Sequence, residues 1–299
     1  MKRLKLLLFL FFLSSFFCSF VLAKSQVKKS LSDDSFLVFI PSGTFKIGSN
    51  KGDGDEKPKR QIYVTSFWID QHELTVSKFA RFVIQTRHKT TAEKKGWSWV
   101  WDSTLKKGRG WWRKEKGISW KNPKGISSDW KKMPDQPVSQ VSWFDANAYC
   151  KWAGRELPTE AQWEKAARGN DDRMFPWGNQ LDSKYANLKG KKDGFLGVSP
   201  VGSFPKGASV FGVLDMSGNV WEWVADWYAS THYERIKLKN PLGPRQGKKK
   251  VIRGASWGSK LLWSRVSNRY SRNRNYRNNK IGFRCVLNKV NWSDSKTIF

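Results

Sequence analysis

What most restricts the folds open to this chain is how little of it can be helix. In 299 residues only three stretches carry helical periodicity. From Thr75 onward, Val76, Phe79, Ala80, Phe82 and Val83 put apolar groups on neighbouring turns. Over Trp143–Trp152, Phe144, Ala148 and Trp152 recur at helical spacing, and Gly154 stops the run. The third has the clearest start: Pro158 precedes Thr159, whose hydroxyl can cap free amides, with Gln162 placed as its capping-box partner. Gly169 ends it. The remainder is short apolar runs cut by glycine and proline. Residues 36–40, 44–48 and 61–69 read as an opening sheet unit, and 210–214, 220–224, 251–257 and 281–286 as later strands. A few helices among many short strands indicate an α+β fold, not a parallel α/β one. Glu222, bracketed by Trp221 and Trp223 in one of these strands, requires a partner for its charge.

The amino end has a separate purpose. Lys2, Arg3 and Lys5 precede an apolar run over 6–22 broken only by serines and one cysteine, which reads as a secretory signal peptide. Val21 and Ala23 suit a cut before Lys24, so residues 1–23 are expected to be removed and the product to be periplasmic or secreted. The competing reading is an uncleaved anchor that leaves the protein membrane-tethered, since the run is almost long enough to cross a bilayer. Lipid attachment at Cys18 is disfavoured by the bulky Phe17 before it. Residues 24–35 are then a flexible polar lead-in, 36–286 one domain, and 287–299 a C-terminal tail.

Net charge is +30 over the whole chain and +27 once Lys2, Arg3 and Lys5 are lost. Such an excess favours anionic surfaces, polyanions or acidic proteins. Nucleic acid is not an expected partner, because neither zinc-finger spacing nor a helix-turn-helix pattern is present and export removes the chain from it. Cys150 and Cys285 remain after cleavage, too few for a disulfide-dense scaffold or a cysteine metal cluster. They either pair with each other or stay as two buried thiols.

Residues 96–130 hold Trp97, Trp99, Trp101, Trp111, Trp112, Trp120 and Trp130 interleaved with Lys and Arg. Aromatic faces beside cations can form a recognition wall. The plainer reading is an irregular insertion that uses large rings to build its own satellite core, with one or two rings left facing a ligand groove. A second basic region, Arg265, Arg269, Arg272 and Arg274, continuing to Arg277 and Arg284, can clamp carboxylates or phosphates, or knit aromatic loops together. His72, His88 and His232 lack the close pairing of a redox-metal triad, and Glu73 beside His72 does not complete one.

Several ordered motifs together resemble one family. They are PVSQVSWFDANAYCKWAG at 137–154, RELPTEAQWEKAARG at 155–169, FPWGN at 175–179, MSGNVWEW at 216–223, RGASW at 253–257 and IGFRC at 281–285. The chain is identified by them as a member of the formylglycine-generating enzyme, or sulfatase-modifying factor, family over about 36–286. The resemblance implies a C-type-lectin-like α+β fold with low regular secondary-structure content, and a pairing of Cys150 with Cys285. The type enzyme uses copper and oxygen to convert a sulfatase cysteine to formylglycine, through two cysteines that follow the RGASW motif. In this chain those places fall on Ser259 and Ser264, and a hydroxyl supplies neither a soft copper ligand nor a mixed disulfide. Copper is therefore not expected, and orthodox formylglycine-generating activity is not expected either.

The resemblance also implies structural calcium, at one or two sites. Asn187 and Asp193 with carbonyls of Leu188 and Phe195 match the first site, and Asp215 and Glu222 with carbonyls of Gly218 and Val220 the second. Hard oxygen ligands of this kind suit calcium. The expected function is an exported, non-catalytic domain binding a peptide, a protein or an anionic ligand, such as an envelope assembly component. Candidate contacts are Trp97, Trp99, Trp101, Trp111, Trp112, Arg265, Arg269, Arg272 and Arg274. The alternative is a divergent metal-dependent oxidoreductase or maturation factor acting on an exported substrate.

Overall fold

Short apolar runs separated by glycine cannot make one continuous sheet, and the chain assembles instead several small ones. The computed structural model describes residues 25–102, 111–190 and 193–288. The expected signal peptide and nearly all of the 287–299 tail lie outside the described residues. In chain order the elements are β1 (Val27–Lys29), β2 (Phe36–Ile40), β3 (Gly43–Ile47), β4 (Arg60–Val64), β5 (Phe67–Asp70), α1 (Val76–Thr86), α2 (Thr91–Lys95), β6 (Trp97–Asp102), β7 (Trp111–Lys116), α3 (Trp143–Trp152), α4 (Glu160–Arg168), β8 (Trp221–Trp227), β9 (Lys250–Arg253), β10 (Tyr270–Arg272), β11 (Ile281–Phe283) and β12 (Val286–Leu287). The result is a mixed α+β fold with modest regular secondary structure.

One sheet has the order β1-β2-β5-β12, the other β10-β9-β8-β11, and β3-β4 and β6-β7 are separate hairpins. The β11–β8 pair is parallel; the other strand pairs within these sheets are antiparallel. Two apolar cores result. The first gathers Val38, Ile40, Phe45 and Ile69 around Trp163 of α4. The second joins Phe79, Trp120, Tyr149, Trp223 and Phe283. A Cys150–Cys285 disulfide ties α3 to the connection between β11 and β12, where the chain passes from one sheet to the other.

One helix start follows the cap read from the sequence, and others gain caps that the sequence reading did not name. Thr75 accepts from Lys78 N, and Thr159 and Gln162 form the reciprocal box expected of them. Ser142 and Asp145 make another such box before α3. Each box satisfies two amides that a helix start would otherwise leave without partners.

Three expectations change. Residues 24–35 are not a flexible lead-in throughout: β1 pairs with β2, and Asp33 is buried against Tyr149 and Arg155. Polarity alone misses an edge strand whose gain is a buried ion pair. Residues 96–130 are not merely irregular, since β6 and β7 pair over their full length, Trp101 opposite Trp112. Residues 210–214 form no strand; a turn closes there, with Ser209 N donating to Val213 O.

Candidate functional site

The segment after β9 turns sharply. Gly254 and Ala255 both have left-handed φ, +91° and +67°. A side chain at Gly254 would approach the Trp163 ring to 3.1 Å, so the glycine allows Trp163 to close against the backbone. The turn carries Trp257 outward and buries Ser259. Ser259 Oγ accepts from Ser256 N at 3.1 Å, and its carbonyl accepts from Lys189 N at 2.9 Å. Ser264 ends a 3-10 turn over Leu261–Ser264, its hydroxyl donating to Leu261 O at 2.8 Å and its carbonyl accepting from Ser217 Oγ at 2.6 Å. Both hydroxyls are spent on local backbone. The three cysteines of the chain are Cys18, Cys150 and Cys285, so no thiol lies anywhere between 151 and 284. A copper dithiolate does not fit these residues.

Trp257 forms part of the wall of a cavity of about 670 Å³. Val100 and Trp101 of β6, Phe195, Leu196 and Val198 supply the apolar lining. Arg113, Lys124 and Asp102 supply charge at its edge, and Arg113 lies 3.5 Å from Asp102 and 3.1 Å from Glu115. Burial pushes the Lys124 amine below its ordinary range.

The predicted aromatic residues divide. Trp101 lines the cavity and meets Trp112 edge-on at 5.2 Å. Trp97 meets Trp99 edge-on and is covered by Lys114 and Arg277, each 4.2 Å from its ring centre. Trp111 is half exposed, whereas Trp120 is buried against Phe79 and Trp130. Trp101 thus faces the cavity while Trp120 joins the second apolar core.

The four arginines of the basic patch lie apart from the cavity, and none of them lines it. Arg269 is buried, its Nε and Nη2 donating to the two Glu160 oxygens at 2.7 and 2.9 Å. Arg265 is drawn onto Glu56 at 2.6 Å. Arg272 stacks on Tyr270, and Arg274 on Phe144. Sequence spacing placed these cations together without showing that carboxylates from distant segments would meet them.

Glu222 finds its partners in Arg284, which donates from Nε and Nη2 at 2.7 Å each, and in Trp163 Nε1 at 2.8 Å. Arg284 is its cationic contact among the described residues. Nearby, Asp215 accepts one hydrogen bond, from Gly202 N at 2.7 Å, and burial pushes its carboxyl up to about 6. Glu73, which sequence reasoning placed only beside His72, accepts from Asn219 Nδ2 and Val220 N. Burial, reinforced by Asp215 and Glu222, raises its pKa well above the carboxylate range. His72 is itself pushed down to about 4 by burial and rests on Glu73 O. Asn219 links this cluster to Asn187, since its Oδ1 accepts from Asn187 Nδ2 and its amide donates to Asn187 O. Asn187 Oδ1 is buried without a hydrogen-bond partner. Asp193 accepts from the amides of Leu188 and Phe195, both at 3.0 Å. Among the described residues no three His, Cys, Asp or Glu side chains sit together as a metal-binding group.

Lys280 was not singled out by sequence. It sits between the rings of Trp101, Trp112 and Trp257, and no motif or periodicity in the chain brings those three positions together.

The family model for the sulfatase-modifying factor enzyme 1-like domain matches residues 23–289. The chain is 37% identical over 284 residues to the formylglycine-generating enzyme of Bos taurus, covering 85% of this chain and 75% of that one. It is 36% identical over 281 residues to the inactive C-alpha-formylglycine-generating enzyme 2 of Mus musculus, covering 85% and 86%. Among solved structures, PvdO from Pseudomonas aeruginosa aligns with a TM-score of 0.69 at 28% identity, covering 87% of this chain and 97% of its own. On this match, spanning the described fold from β1 to β12, the chain belongs to the sulfatase-modifying factor enzyme 1-like family.

Proposed function

We propose that this chain is an exported, non-catalytic binding member of its family, taking an extended peptide, a protein surface or an anionic ligand, with calcium holding its loops. The observation that carries this reading is the state of Ser259 and Ser264. They occupy the positions that the resemblance gives to the cysteine pair, yet each is buried and hydrogen-bonded within its own turn, while Trp257 next to them still walls an open cavity. Binding geometry is kept where thiol chemistry has no atoms to use. The named inactive mouse relative, 36% identical, agrees with loss of chemistry on a retained fold.

The calcium reading starts from one buried oxygen without a hydrogen-bond partner. Asn187 would offer its unpartnered Oδ1, together with Asp193 and the carbonyls of Leu188 and Phe195. Asp215 would anchor the second site with the carbonyls of Gly218 and Val220, and Glu222 would join through a carboxylate that Arg284 already holds. A divalent ion there offsets buried negative charge and braces loops with few ladder hydrogen bonds.

The test is elemental analysis of the mature protein purified without chelator, paired with oxygen-consumption assays on peptide thiols. One or two equivalents of calcium, no stoichiometric redox metal and no oxygen uptake are expected. One equivalent of tightly held copper or iron with oxygen uptake would make the chain an oxidoreductase and end the binding reading.

A further inference from the structure

Strand β7 is six residues long and, among the described residues, pairs with β6 alone. On its other side β6 is covered by the chain before β11: Trp99 bridges Asn278, and Trp101 N donates to Asn279 Oδ1. No such cover reaches β7. Over residues 112–116 its outer edge meets no second strand, no isolated bridge and no backbone hydrogen bond from a loop among the described residues. In an antiparallel pair every second residue turns its amide and carbonyl away from the partner, so β7 presents a row of these groups outward. All six of its residues are exposed or half-buried. The edge strands of the two four-stranded sheets are shorter: β1, β10 and β11 have three residues each and β12 has two.

An exposed edge of this length pairs with another strand unless cover or charge prevents it. The charge on β7 selects which strand. Arg113, Lys114 and Lys116 stand against one carboxylate, Glu115. Arg113 meets Asp102 and Glu115, whereas Lys114 lies on the Trp97 ring, and neither Lys114 nor Lys116 has a carboxylate partner among the described residues. A second copy of β7 would bring three more cations and one carboxylate, and like charges across a strand pair are destabilising. An acidic strand would bring the opposite sign. The register also fixes what each face of an added strand meets. Lys114 and Lys116 sit opposite Trp99 and Trp97 on one face, and Arg113 sits opposite Val100, which lines the cavity, on the other. We propose that β7 captures an extended acidic segment of another exported protein by strand addition, its carboxylates alternating onto the face of Lys114 and Lys116 and its apolar side chains onto the face of Val100. The inference rests on the binding reading above and names its surface and its partner.

The experiment is titration of the mature protein with an end-capped peptide of alternating Glu and Val, followed by calorimetry and by amide hydrogen exchange over 112–116. Binding is expected, with alternate amides of β7 gaining protection. The same peptide N-methylated at every residue keeps its charge but has no amide to donate, and is expected to bind at least ten-fold more weakly. Lys114→Glu combined with Lys116→Glu, at two exposed positions, is expected to lose at least ten-fold in affinity for the Glu-Val peptide and to gain affinity for a Lys-Val peptide. Equal binding of the methylated and unmethylated peptides, or binding without protection on β7, overturns the inference while acidic-peptide binding, and with it the broader reading, stands. Absence of Glu-Val binding also overturns it, and the broader reading is then judged by metal content and oxygen uptake alone. Protection of the same amides that rises with protein concentration in the absence of peptide would assign the edge to a second copy and overturn the inference as well.

Discussion

Asp226 shows what a single buried carboxyl does here. It accepts from Glu160 N at 2.8 Å, and burial, with the Glu160 charge beside it, pushes its carboxyl from 3.8 up to about 7. Below about pH 4 both folded and unfolded chains hold this proton. Between about 4 and 7 the unfolded chain releases it first, so the unfolded state binds fewer protons and stability falls as pH rises. Asp226→Asn keeps an acceptor for Glu160 N but cannot titrate. The melting temperature of the native protein minus that of Asp226→Asn is expected to decline from pH 4 to 7 and level above it, reflecting on the order of 4 kcal/mol. A difference that stays flat across that range would show that Asp226 ionises normally. Arg253, which also meets Glu160, is a different case: Glu164 meets it as well, so its charge is balanced inside the core.

At the scale of elements, helix starts were the most readable part of the chain. A capping box needs only residues three apart, so Thr159 and Gln162 announce α4 without tertiary information. Thr159→Ala is expected to cost about 1 kcal/mol, read as a lower denaturant midpoint with unchanged slope, and Thr159→Ser to restore most of it. The β6–β7 hairpin was much less readable, because in β6 it is Ser98 and Val100 that are buried while Trp97, Trp99 and Trp101 share the partly exposed face, and β7 buries no residue. β10 and β12 are shorter still and exist through pairing with β9 and β5, which lie far away in sequence.

For the whole molecule, the Cys150–Cys285 link matters because it closes a long loop of the chain, with a sequence separation of 135. Closing so long a loop removes unfolded-state entropy. Replacing both cysteines by alanine is expected to lower stability by about 2–5 kcal/mol, measured by denaturant unfolding without reductant. No change would mean that the two sheets dock fully without the tie. Arg284, next to Cys285, adds a second tie by reaching Glu222 of one sheet and the Asp70 carbonyl of the other.

Local chemistry in the sequence determined the α+β class, the Thr159–Gln162 cap, the family and the absence of cysteine between 151 and 284, since each depends on residue type or short spacing. Only the tertiary structure decided which charges meet. It took Arg269 into the core on Glu160, gave Glu222 to Arg284, and set Lys280 among the rings of Trp101, Trp112 and Trp257. The reason is physical: a buried charge is defined by partners brought in from distant segments, and those distances are set by packing rather than by position along the chain.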